Sequence, residues 1–264
     1  MKIATFNVNS LRARIGNVLD WLKQAQPDVA LFQEIKCTEA EFPRLEIESL
    51  GYNVNCIGQK SYNGVAILSR TPMTIEQSSL PGDHGDEQAR YLEAIIDVPE
   101  GEKWKALRVA TIYLPNGNPV ESEKFPYKLA WMKRLKAHAA ELLKLEEPTI
   151  LGGDYNVIPT DNDVYDPVAW ADDALARPET RAHFRALAWL GYTDAFQHLH
   201  PEGHRYTFWD YQAGRWQRDE GLRIDHLMLS PQAADCLEAC EIDRDPRKKE
   251  KPSDHTPVWC ELRL

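Results

Sequence analysis

The sequence has no apolar run that approaches the roughly 20 residues of a membrane-spanning helix. Residues 1–7 also lack the long apolar segment of a secretory signal peptide, so we expect a cytoplasmic protein without membrane contact. Internal repeats, low-complexity tracts and flexible linkers are missing as well. We therefore expect residues 1–264 to fold as a single domain, a length that is common for α/β domains.

Cysteine is scarce: the chain has five, an odd number, in otherwise apolar stretches. This pattern favours reduced thiols in a core over a disulfide framework. Only Cys236 and Cys240 lie close together in the sequence, and without further companions they are a weak indication of zinc. The full set is Cys37, Cys56, Cys236, Cys240 and Cys260.

Positive charge is in deficit, with 31 Lys and Arg residues against 41 Asp and Glu residues and a net charge of −10. A chain this acidic repels polyanions, which excludes a nonspecific nucleic-acid coat protein. One exception is the segment 246–252, which has a net charge of +3 because Arg247, Lys248, Lys249 and Lys251 outnumber Glu250. This segment is either a solvated basic loop or a contact site for an anionic partner.

Short apolar runs that are rich in β-branched residues and bounded by turn formers predict strands. Several of them, such as Val29–Phe32, are apolar throughout, which indicates burial on both faces. The predicted strands are Ile3–Phe6, Val29–Phe32, Val65–Leu68, Tyr91–Val98, Leu107–Leu114, Thr149–Leu151, Leu222–Leu229 and Thr256–Leu262.

Segments with helical periodicity separate these strands. Ser10 and Ser122 are the predicted N-caps of two helices that run to about residues 22 and 142. On the second helix, the face with Lys128, Lys133 and Lys136 is predicted to meet water. A shorter helix is predicted over 179–190. Interleaved strands and helices of this kind predict sheets covered by helices, hence a layered α/β sandwich.

Polar side chains recur at the ends of six predicted strands. Because strands are rigid and their ends leave side chains free to meet, we expect these residues to share one pocket. Any one of them alone is more typical of a turn or a helix cap, so the prediction depends on their recurrence. They are Asn7, Glu34, Tyr113, Asp154 with Asn156, Asp225 with His226, and Asp254 with His255.

Carboxylates held so close together would repel each other and take up protons unless a cation neutralises them. Oxygen ligands favour Mg²⁺, with Mn²⁺ as a substitute, over zinc. The candidate metal ligands are Asn7, Glu34, Asp154, Asn156 and Asp254.

The same residues predict hydrolysis of a phosphate ester by in-line attack of water. Asp154 and Asn156 are two residues apart, so on an extended backbone both point to one side, where the carboxylate takes a proton and the amide donates hydrogen bonds. His255, oriented by Asp225, would donate to a phosphoryl oxygen. The predicted catalytic residues are therefore Tyr113, Asp154, Asn156, Asp225 and His255.

An aromatic segment, residues 206–211 with Trp216 nearby, has two interpretations. It either stacks on the sugars or bases of a nucleic acid or packs in the core as a strand. Arg215, Arg218 and Arg223 lie close to it in the sequence and favour a surface that contacts phosphates.

Two other patterns are weak. His198, His200 and His204 have a spacing compatible with zinc, but they lie in a Pro-Gly loop without a nearby cysteine, which disfavours a zinc site. Gly152-Gly153 is not a phosphate-binding loop, because the Lys-Ser/Thr that follows such a loop is absent.

Four motifs resemble those of the exonuclease III family of apurinic/apyrimidinic endonucleases, within the DNase I-like metal-dependent phosphodiesterases. The resemblance extends over essentially the whole chain. The motifs are, in order, Pro27–Lys36, Gly152–Asn156, Gly221–Asp225 and Ser253–Val258.

This resemblance implies a four-layer α/β sandwich, two packed mixed sheets flanked by helices. It implies cleavage of double-stranded DNA 5′ to abasic sites, often with 3′ exonuclease and 3′-phosphatase activity, by a monomer without an obligate protein partner. By position, Glu34 resembles the principal Mg²⁺ ligand, with Asp254 and Asn7 close by. The implied DNA-binding residues are Arg90 and Asn116 on the backbone, and Phe208, Trp209, Leu222 and Ile224 around an abasic sugar.

The chain departs from the family pattern in two places. Ala195 and Gln197 lie in the stretch where the family usually has Ser or Thr and then Arg, and Asp219 replaces an Asn. The added charge of Asp219 near the DNA face is expected to weaken binding or raise its salt sensitivity. Two rival functions are a same-fold phosphoesterase for a lipid or inositol phosphate, disfavoured by the Phe208-Trp209 pair, and a DNA-binding module without catalysis.

Overall fold

The computed structural model describes residues 1–202 and 205–264. Within these ranges the chain forms twelve strands: β1 (Lys2–Asn7), β2 (Val29–Gln33), β3 (Asn53–Ile57), β4 (Val65–Ser69), β5 (Met73–Gln77), β6 (Tyr91–Asp97), β7 (Ala106–Tyr113), β8 (Thr149–Asp154), β9 (Thr193–Asp194), β10 (Asp225–Leu229), β11 (Leu237–Ile242) and β12 (Val258–Leu262). The same ranges contain seven α-helices: α1 (Ile15–Ala25), α2 (Arg44–Glu48), α3 (Lys124–Leu143), α4 (Pro167–Trp170), α5 (Pro178–Leu190), α6 (Ala195–Leu199) and α7 (Pro231–Ala234).

The strands form two six-stranded sheets, ordered β11-β12-β1-β2-β4-β3 and β5-β6-β7-β8-β10-β9. Each sheet has one parallel pair at its centre, β1 with β2 and β7 with β8, and antiparallel pairs elsewhere. Trp21 of α1 packs on Phe6 and Phe32 outside the first sheet. Trp131 of α3 and Phe184 of α5 belong to the apolar cluster outside the second sheet. The order of layers is therefore helices, sheet, sheet, helices.

The inner faces of the two sheets share one apolar core because side chains alternate along each strand. Leu31 of the first sheet lies in this core with Val109 and Leu227 of the second. At Gly152 the sheets approach so closely that a Cβ atom would lie 2.7 Å from Leu31 Cδ1 and 2.8 Å from Leu227 Cδ2. Gly153 is equally restricted, since a Cβ there would lie 1.9 Å from the carbonyl oxygen of Ile112. The glycine pair thus serves packing.

A buried polar layer separates this core from the strand ends. Gln33 Nε2 donates to the hydroxyls of Thr5 and Thr111 at 3.0 Å each, so it joins the first sheet to the second. Thr111 in turn donates to the carbonyl oxygen of Phe32 at 3.1 Å. Because each polar atom finds a partner, polar side chains are tolerated between the sheets at this level. The strand-end residues lie next to this polar layer and are supported by it.

The predicted strands are confirmed, but two of them begin later than expected, at Asp225 and Val258. The four edge strands, β3, β5, β9 and β11, were not predicted. Strand β5, for example, is mostly exposed and lacks a clear apolar pattern. The helix predicted over 179–190 is confirmed as α5. Neither predicted serine cap is correct: α1 and α3 have Arg14 and Glu123 at their N-cap positions, without a side-chain capping bond.

All five cysteines are buried and free, which confirms the prediction of reduced core thiols. Cys240 and Cys260 are direct neighbours across β11 and β12. Among the residues described, no helix is both long enough and apolar enough to cross a bilayer.

Candidate active site

The polar strand ends meet at one edge of the space between the sheets. At this edge Asn7 is paired with Gln33 at the ends of β1 and β2, and Tyr113 with Asp154 at the ends of β7 and β8. Strands β10 and β12 run antiparallel to their neighbours, so their starts reach the same edge, and Asp225 pairs with Asp154. The interpretation that every one of these segments follows a strand is therefore wrong for two of them, because an antiparallel strand brings its beginning to the site.

The strand ends surround one cavity of about 260 Å³. Most of its lining residues are polar, and apolar side chains form one wall. The lining residues are Glu34, Tyr113, Asn116, Asn118, Asp154, Asn156, Trp170, Asp173, Leu175, Phe208, Leu222, Ile224, Asp254 and His255.

Glu34, Asp154 and His255 form the centre of the site, with one potential ligand atom of each within 4.8 Å of the others. Asn7 joins the two carboxylates, since its Nδ2 donates to Glu34 Oε1 at 2.8 Å and to Asp154 Oδ2 at 2.9 Å. The amide oxygen of Asn7 accepts from the backbone N–H of Asn9 at 3.0 Å and so turns away from the carboxylates. In this orientation Asn7 holds the two acidic side chains close together, and its role as a metal ligand stays a prediction.

Lys36 and Asn9 form the rim beside Glu34. Lys36 Nζ lies 2.7 Å from Glu34 Oε2 and donates to Asn9 Oδ1 at 2.6 Å. Asn9 Nδ2 donates to Asp254 Oδ1 at 2.9 Å, which links Asp254 to the same rim. Burial raises the pKa of Glu34, but Lys36 and Asn7 lower it more, so this carboxylate is ionised at neutral pH.

Asp154 is the least compensated charge of the site. It is almost fully buried, and burial raises its pKa well above 3.8, because the attraction of His255 offsets the burial only in part and Asp225 and Glu34 add repulsion. A carboxylate in this state is suited to take a proton. The surplus of negative charge and the carboxylate oxygens of Glu34 and Asp154 also fit a hard divalent cation, and Asp254 lines the same cavity.

His255 is held by Asp225, whose Oδ2 and Oδ1 lie 2.8 and 3.1 Å from His255 Nδ1. Its other nitrogen, Nε2, lies 3.7 Å from Asp154 Oδ2, and the residue lines the cavity. Burial lowers the pKa of His255, but Asp225 and Asp154 outweigh it and raise the pKa to about 10. The imidazole is therefore protonated at neutral pH and presents a charged donor to the cavity.

Asn156 does not continue the strand, as its φ of +48° places it in the left-handed region. Asparagine adopts this conformation more readily than most other non-glycine residues, because its short polar side chain can form local hydrogen bonds. Asp154 Oδ1 accepts from the backbone N–H of Asn156 at 2.9 Å, and Asn156 Oδ1 accepts from Asn116 at 3.2 Å. Both Asp154 and Asn156 reach the same cavity by way of this turn. Glu34 is left-handed too, with a φ of +52°.

Tyr113 lines the cavity, and Arg90 flanks it. Burial raises the pKa of Tyr113, and the neighbouring charges of Glu34 and Asp154 raise it further, so its phenol keeps its proton and can donate. The Arg90 guanidinium lies 4.7 Å from the centre of the Tyr113 ring and donates to the Tyr113 carbonyl at 3.2 Å. Arg90 is only partly buried, so part of its side chain stays accessible next to Tyr113.

Phe208, Leu222 and Ile224 form the apolar wall as the resemblance implied, together with Trp170 and Leu175. The Phe208 ring packs edge-on against His255, with the ring centres 5.0 Å apart. The prediction that Trp209 contacts the abasic sugar is wrong, because its side chain has no exposed surface and does not line the cavity.

Trp209 instead connects the aromatic segment to neighbouring loops of the fold. Its indole donates to Asp219 Oδ1 at 3.1 Å, and the Arg244 guanidinium lies 4.9 Å from its ring. Arg244 also pairs with Asp219 at 2.8 Å. The charge that Asp219 adds is therefore offset by a neighbouring arginine.

The prediction of a basic surface at Arg215, Arg218 and Arg223 is also wrong. Arg223 is buried and pairs with Asp163 and Asp194 at 2.6 and 2.7 Å. Arg215 and Arg218 both pair with a single acidic residue, Glu220. These side chains meet acids of the protein itself because the loops fold back on one another.

The segment 246–252 is only partly a solvated loop. Arg247 is buried and donates to the Trp209 carbonyl at 3.1 Å, while Lys248 pairs with Asp245 at 2.6 Å. Arg247 is thus used within the fold, whereas Lys248, Lys249 and Lys251 stay exposed.

A zinc site at the histidines finds no support. His200 Nε2 lies 2.8 Å from the carbonyl oxygen of Cys240, and its ring stacks on Phe196. His204 lies outside the described residues. Within residues 1–202 and 205–264, the group of Glu34, Asp154 and His255 is the only cluster of three potential metal ligands.

Several residues of the site were not among the site residues predicted from the sequence. Asn9, Lys36 and Lys128 support the acidic residues, while Trp170 and Asp173 line the cavity. Lys36 ends one of the recognised motifs, which is the single hint among them. The others lie on a helix or on irregular segments, where periodicity does not reveal which side chains turn toward the cavity.

The model of the Endonuclease/Exonuclease/phosphatase family matches residues 4–255. The chain belongs to this family. Exodeoxyribonuclease III of Haemophilus influenzae is 33% identical over 271 residues, and the match covers 100% of both chains. The family assignment confirms a hydrolytic enzyme of the phosphodiesterase type, and the acidic cluster is consistent with the metal dependence of the family.

The solved structures that match over 100% of both chains include the following two. One is the 3′ phosphatase NExo from Neisseria bound to a product DNA hairpin, with a TM-score of 0.94 and 37% identity. The other is an apurinic/apyrimidinic endonuclease from Archaeoglobus fulgidus, with a TM-score of 0.93 and 33% identity. These matches confirm the predicted sandwich fold and the resemblance to the exonuclease III family.

Proposed function

We propose that this protein is a Mg²⁺-dependent DNA repair nuclease that hydrolyses the phosphodiester 5′ to an abasic site in double-stranded DNA. We also propose 3′-5′ exonuclease and 3′-phosphatase activity, with residues 1–264 acting as one catalytic domain of a cytoplasmic monomer. The observation that carries the proposal is the buried contact between Asp154 and the His255–Asp225 pair, beside Glu34 and in a cavity with an apolar wall. The names of the matched relatives support DNA as the substrate.

The geometry assigns a task to each side chain. Asp154 takes the proton from the attacking water, because its raised pKa makes it a better base than an exposed carboxylate. His255 donates to a phosphoryl oxygen and stabilises the negative charge of the transition state. Asn156 donates from Nδ2 to the Leu114 carbonyl at 2.9 Å and to Asp154, so it orients the base. Tyr113 donates a further hydrogen bond.

Mg²⁺, held by Glu34 with Asp154 and Asp254 nearby, would supply charge neutralisation for the phosphate and the leaving oxygen. Asn7 keeps the carboxylates of Glu34 and Asp154 at a fixed separation. Rigid support of this kind matters because displacements of about 1 Å are enough to slow a reaction severely.

The substrate preference follows from the two sides of the cavity. Phe208, Leu222 and Ile224 offer an apolar surface to a deoxyribose that has lost its base. Asn116 lines the cavity and Arg90 contacts Tyr113 of its lining, and we assign both to contacts with the flanking phosphates.

The test is cleavage of a duplex with one central abasic site, labelled on the 5′ end of the damaged strand. Addition of Mg²⁺ should produce a nick 5′ to the site with a 3′-hydroxyl end, and EDTA should prevent it. Parallel duplexes with a 3′-phosphate, a recessed 3′ end and blunt ends measure the other two activities. Failure of the folded protein to cut any of these DNAs in Mg²⁺ and in Mn²⁺ would contradict the proposal.

A further inference from the structure

Lys128 on α3 is completely buried, contrary to the prediction that it faces water. Its Nζ donates to the backbone carbonyl of Asn156 at 2.5 Å and to that of Asn116 at 3.0 Å. Both Asn116 and Asn156 line the catalytic cavity. One ammonium group therefore connects two loops that reach the site from different strands, β7 and β8.

The burial of Lys128 follows from the helix period. Lys128 lies on the same face of α3 as Trp131, Met132 and Leu135, all of which are buried. Its stem passes Gly117, which has a φ of +90° and where an added Cβ would lie 2.7 Å from Lys128 Cδ. A glycine at 117 thus leaves the space that the lysine stem needs to reach the loops.

The two carbonyls need a donor at this point. Strands β7 and β8 end at Tyr113 and Asp154, so Asn116 and Asn156 lie beyond the hydrogen-bond ladder of the sheet. A buried carbonyl without a partner is costly, and an ammonium group can serve both oxygens at once. Throughout the part of the chain that the structure describes, Lys128 makes no direct ion pair with a carboxylate, and its hydrogen-bond partners are the two carbonyl oxygens.

Burial lowers the pKa of Lys128 to about 7, although the charges of Asp154 and Asp173 oppose this shift. A buried amino group of this kind is expensive, and an apolar side chain would fill the same space at lower cost. Its presence therefore indicates that the two hydrogen bonds are needed. Asn156 is left-handed, and its backbone N–H is the donor to Asp154 Oδ1. A displacement of the Asn156 backbone would thus pass directly to Asp154.

We propose that Lys128 is a positioning residue of the active site, which fixes the left-handed turn at Asn156 and thereby the carboxylate of Asp154. It acts through the backbone and touches neither water nor substrate. The inference rests on the proposed function only for the choice of substrate in the activity test, because its structural part can be measured without any substrate.

The kinetic test compares Lys128→Met, which keeps the stem and removes the donors, with Lys136→Met, an exposed lysine of the same helix. With the abasic duplex and Mg²⁺, we expect Lys128→Met to lower kcat by about 10–100-fold with KM changed by less than about 3-fold, since a displaced base slows the chemical step. Lys136→Met should leave both constants within about 2-fold of the unchanged protein. Rates are divided by the folded fraction, measured by circular dichroism.

The structural test uses ¹H–¹⁵N spectra, in which the amides of Gly117 and Val157 report on the carbonyls that Lys128 contacts. Both signals should shift in Lys128→Met and stay in place in Lys136→Met. Lys128→Gln, which keeps one donor, should give an intermediate loss of kcat and serves if the methionine variant does not fold.

Unchanged kcat per folded molecule, or a rise in KM alone, would overturn the assignment. Unmoved Gly117 and Val157 signals would overturn it as well. If the unaltered protein cuts no DNA, the proposed function fails, and the spectra still decide whether Lys128 positions the loop.

Discussion

Two histidine–aspartate pairs lie back to back on β10, and only one of them faces a cavity. Asp225 points toward the other sheet and holds His255, with Oδ2 2.8 Å from Nδ1. The next residue, His226, points to the opposite face, where its Nδ1 lies 3.2 Å from Asp194 Oδ2. All four side chains are buried or nearly so. The same chemical pair therefore occurs twice, a few ångströms apart, with different surroundings.

The pair of His226 and Asp194 is electrically and sterically complete. Arg223 contacts Asp194 at 2.7 Å and Asp163 at 2.6 Å, so one cation serves two carboxylates. Burial alone would raise the pKa of Asp194, but Arg223 and His226 lower it overall. His226 Nε2 lies 3.2 Å from the carbonyl of Val157, which occupies the second nitrogen. Both ring nitrogens of His226 therefore have partners within the protein, and neither is left to bind a substrate.

The pair of His255 and Asp225 is incomplete by the same criteria. No arginine contacts Asp225 or Asp154 among the ion pairs of the described residues, and His255 Nε2 has only the longer contact of 3.7 Å to Asp154. The cluster holds unpaired charge and an open donor beside a cavity. A buried charge that is fully paired with opposite charges serves the structure. A buried charge without such a partner is available for catalysis.

The largest expected effect is that of Asp154→Asn. The amide cannot take a proton, so we expect the cleavage rate of the abasic duplex to fall by about 10²–10⁴-fold. The free energy of unfolding should stay the same or rise, because an uncompensated buried charge is removed. Single-turnover cleavage and urea unfolding measure the two quantities. Activity within 10-fold of the original would contradict Asp154 as the base, and a large loss of stability would show that its charge is compensated.

The two histidines provide a matched comparison. His255→Asn removes the charged donor at the cavity and should reduce kcat by about 10²–10³-fold. His226→Asn removes a ring of the same kind from the closed cluster and should leave kcat per folded molecule nearly unchanged. Equal losses of kcat in both variants, at equal folded fraction, would mean that the two pairs do not differ in the way that their surroundings indicate.

For Arg223→Met we expect the opposite result: the free energy of unfolding falls, and kcat is nearly unchanged. Removing the arginine leaves Asp163 and Asp194 buried without their cation, a change that typically costs about 3–5 kcal/mol. Urea unfolding should show this loss, while kcat measured on the remaining folded protein should change by less than about 3-fold. A variant that folds normally would show that Arg223 is not the compensating charge.

The catalytic cluster is predictable from the sequence to the extent that strands determine it. Asn7, Glu34 and Asp154 follow apolar runs that can only be strand ends, and rigid strands bring such ends together. That Asp225 and the His255 segment begin strands is not predictable, since an apolar run has no direction relative to its neighbours. The resemblance supplied the layers of the fold and the apolar wall, which single runs do not reveal.

Three of the incorrect predictions concern basic and aromatic side chains. Arg223, Trp209 and Lys128 were expected at surfaces, and each is buried among partners from distant parts of the chain. A lysine or arginine is normally exposed, so local sequence gives the wrong answer when a distant acid or carbonyl is the partner. Asp163 lies 60 residues from Arg223, a separation that no local pattern covers.

The smallest expected effect concerns Asp219, an ion pair outside both clusters. Asp219 and Arg244 have side chains that are 52% and 36% exposed, and such pairs contribute at most about 1 kcal/mol. Because Arg244 offsets the charge, Asp219→Asn should change the slope of log K against log salt for DNA binding by less than about one unit, which corresponds to about one phosphate contact. A steeper change, measured by fluorescence anisotropy with EDTA present, would mean that DNA draws Arg244 away from Asp219. The arginine would then count as part of the binding surface, and the contrast between compensated and uncompensated charge would hold only for buried groups.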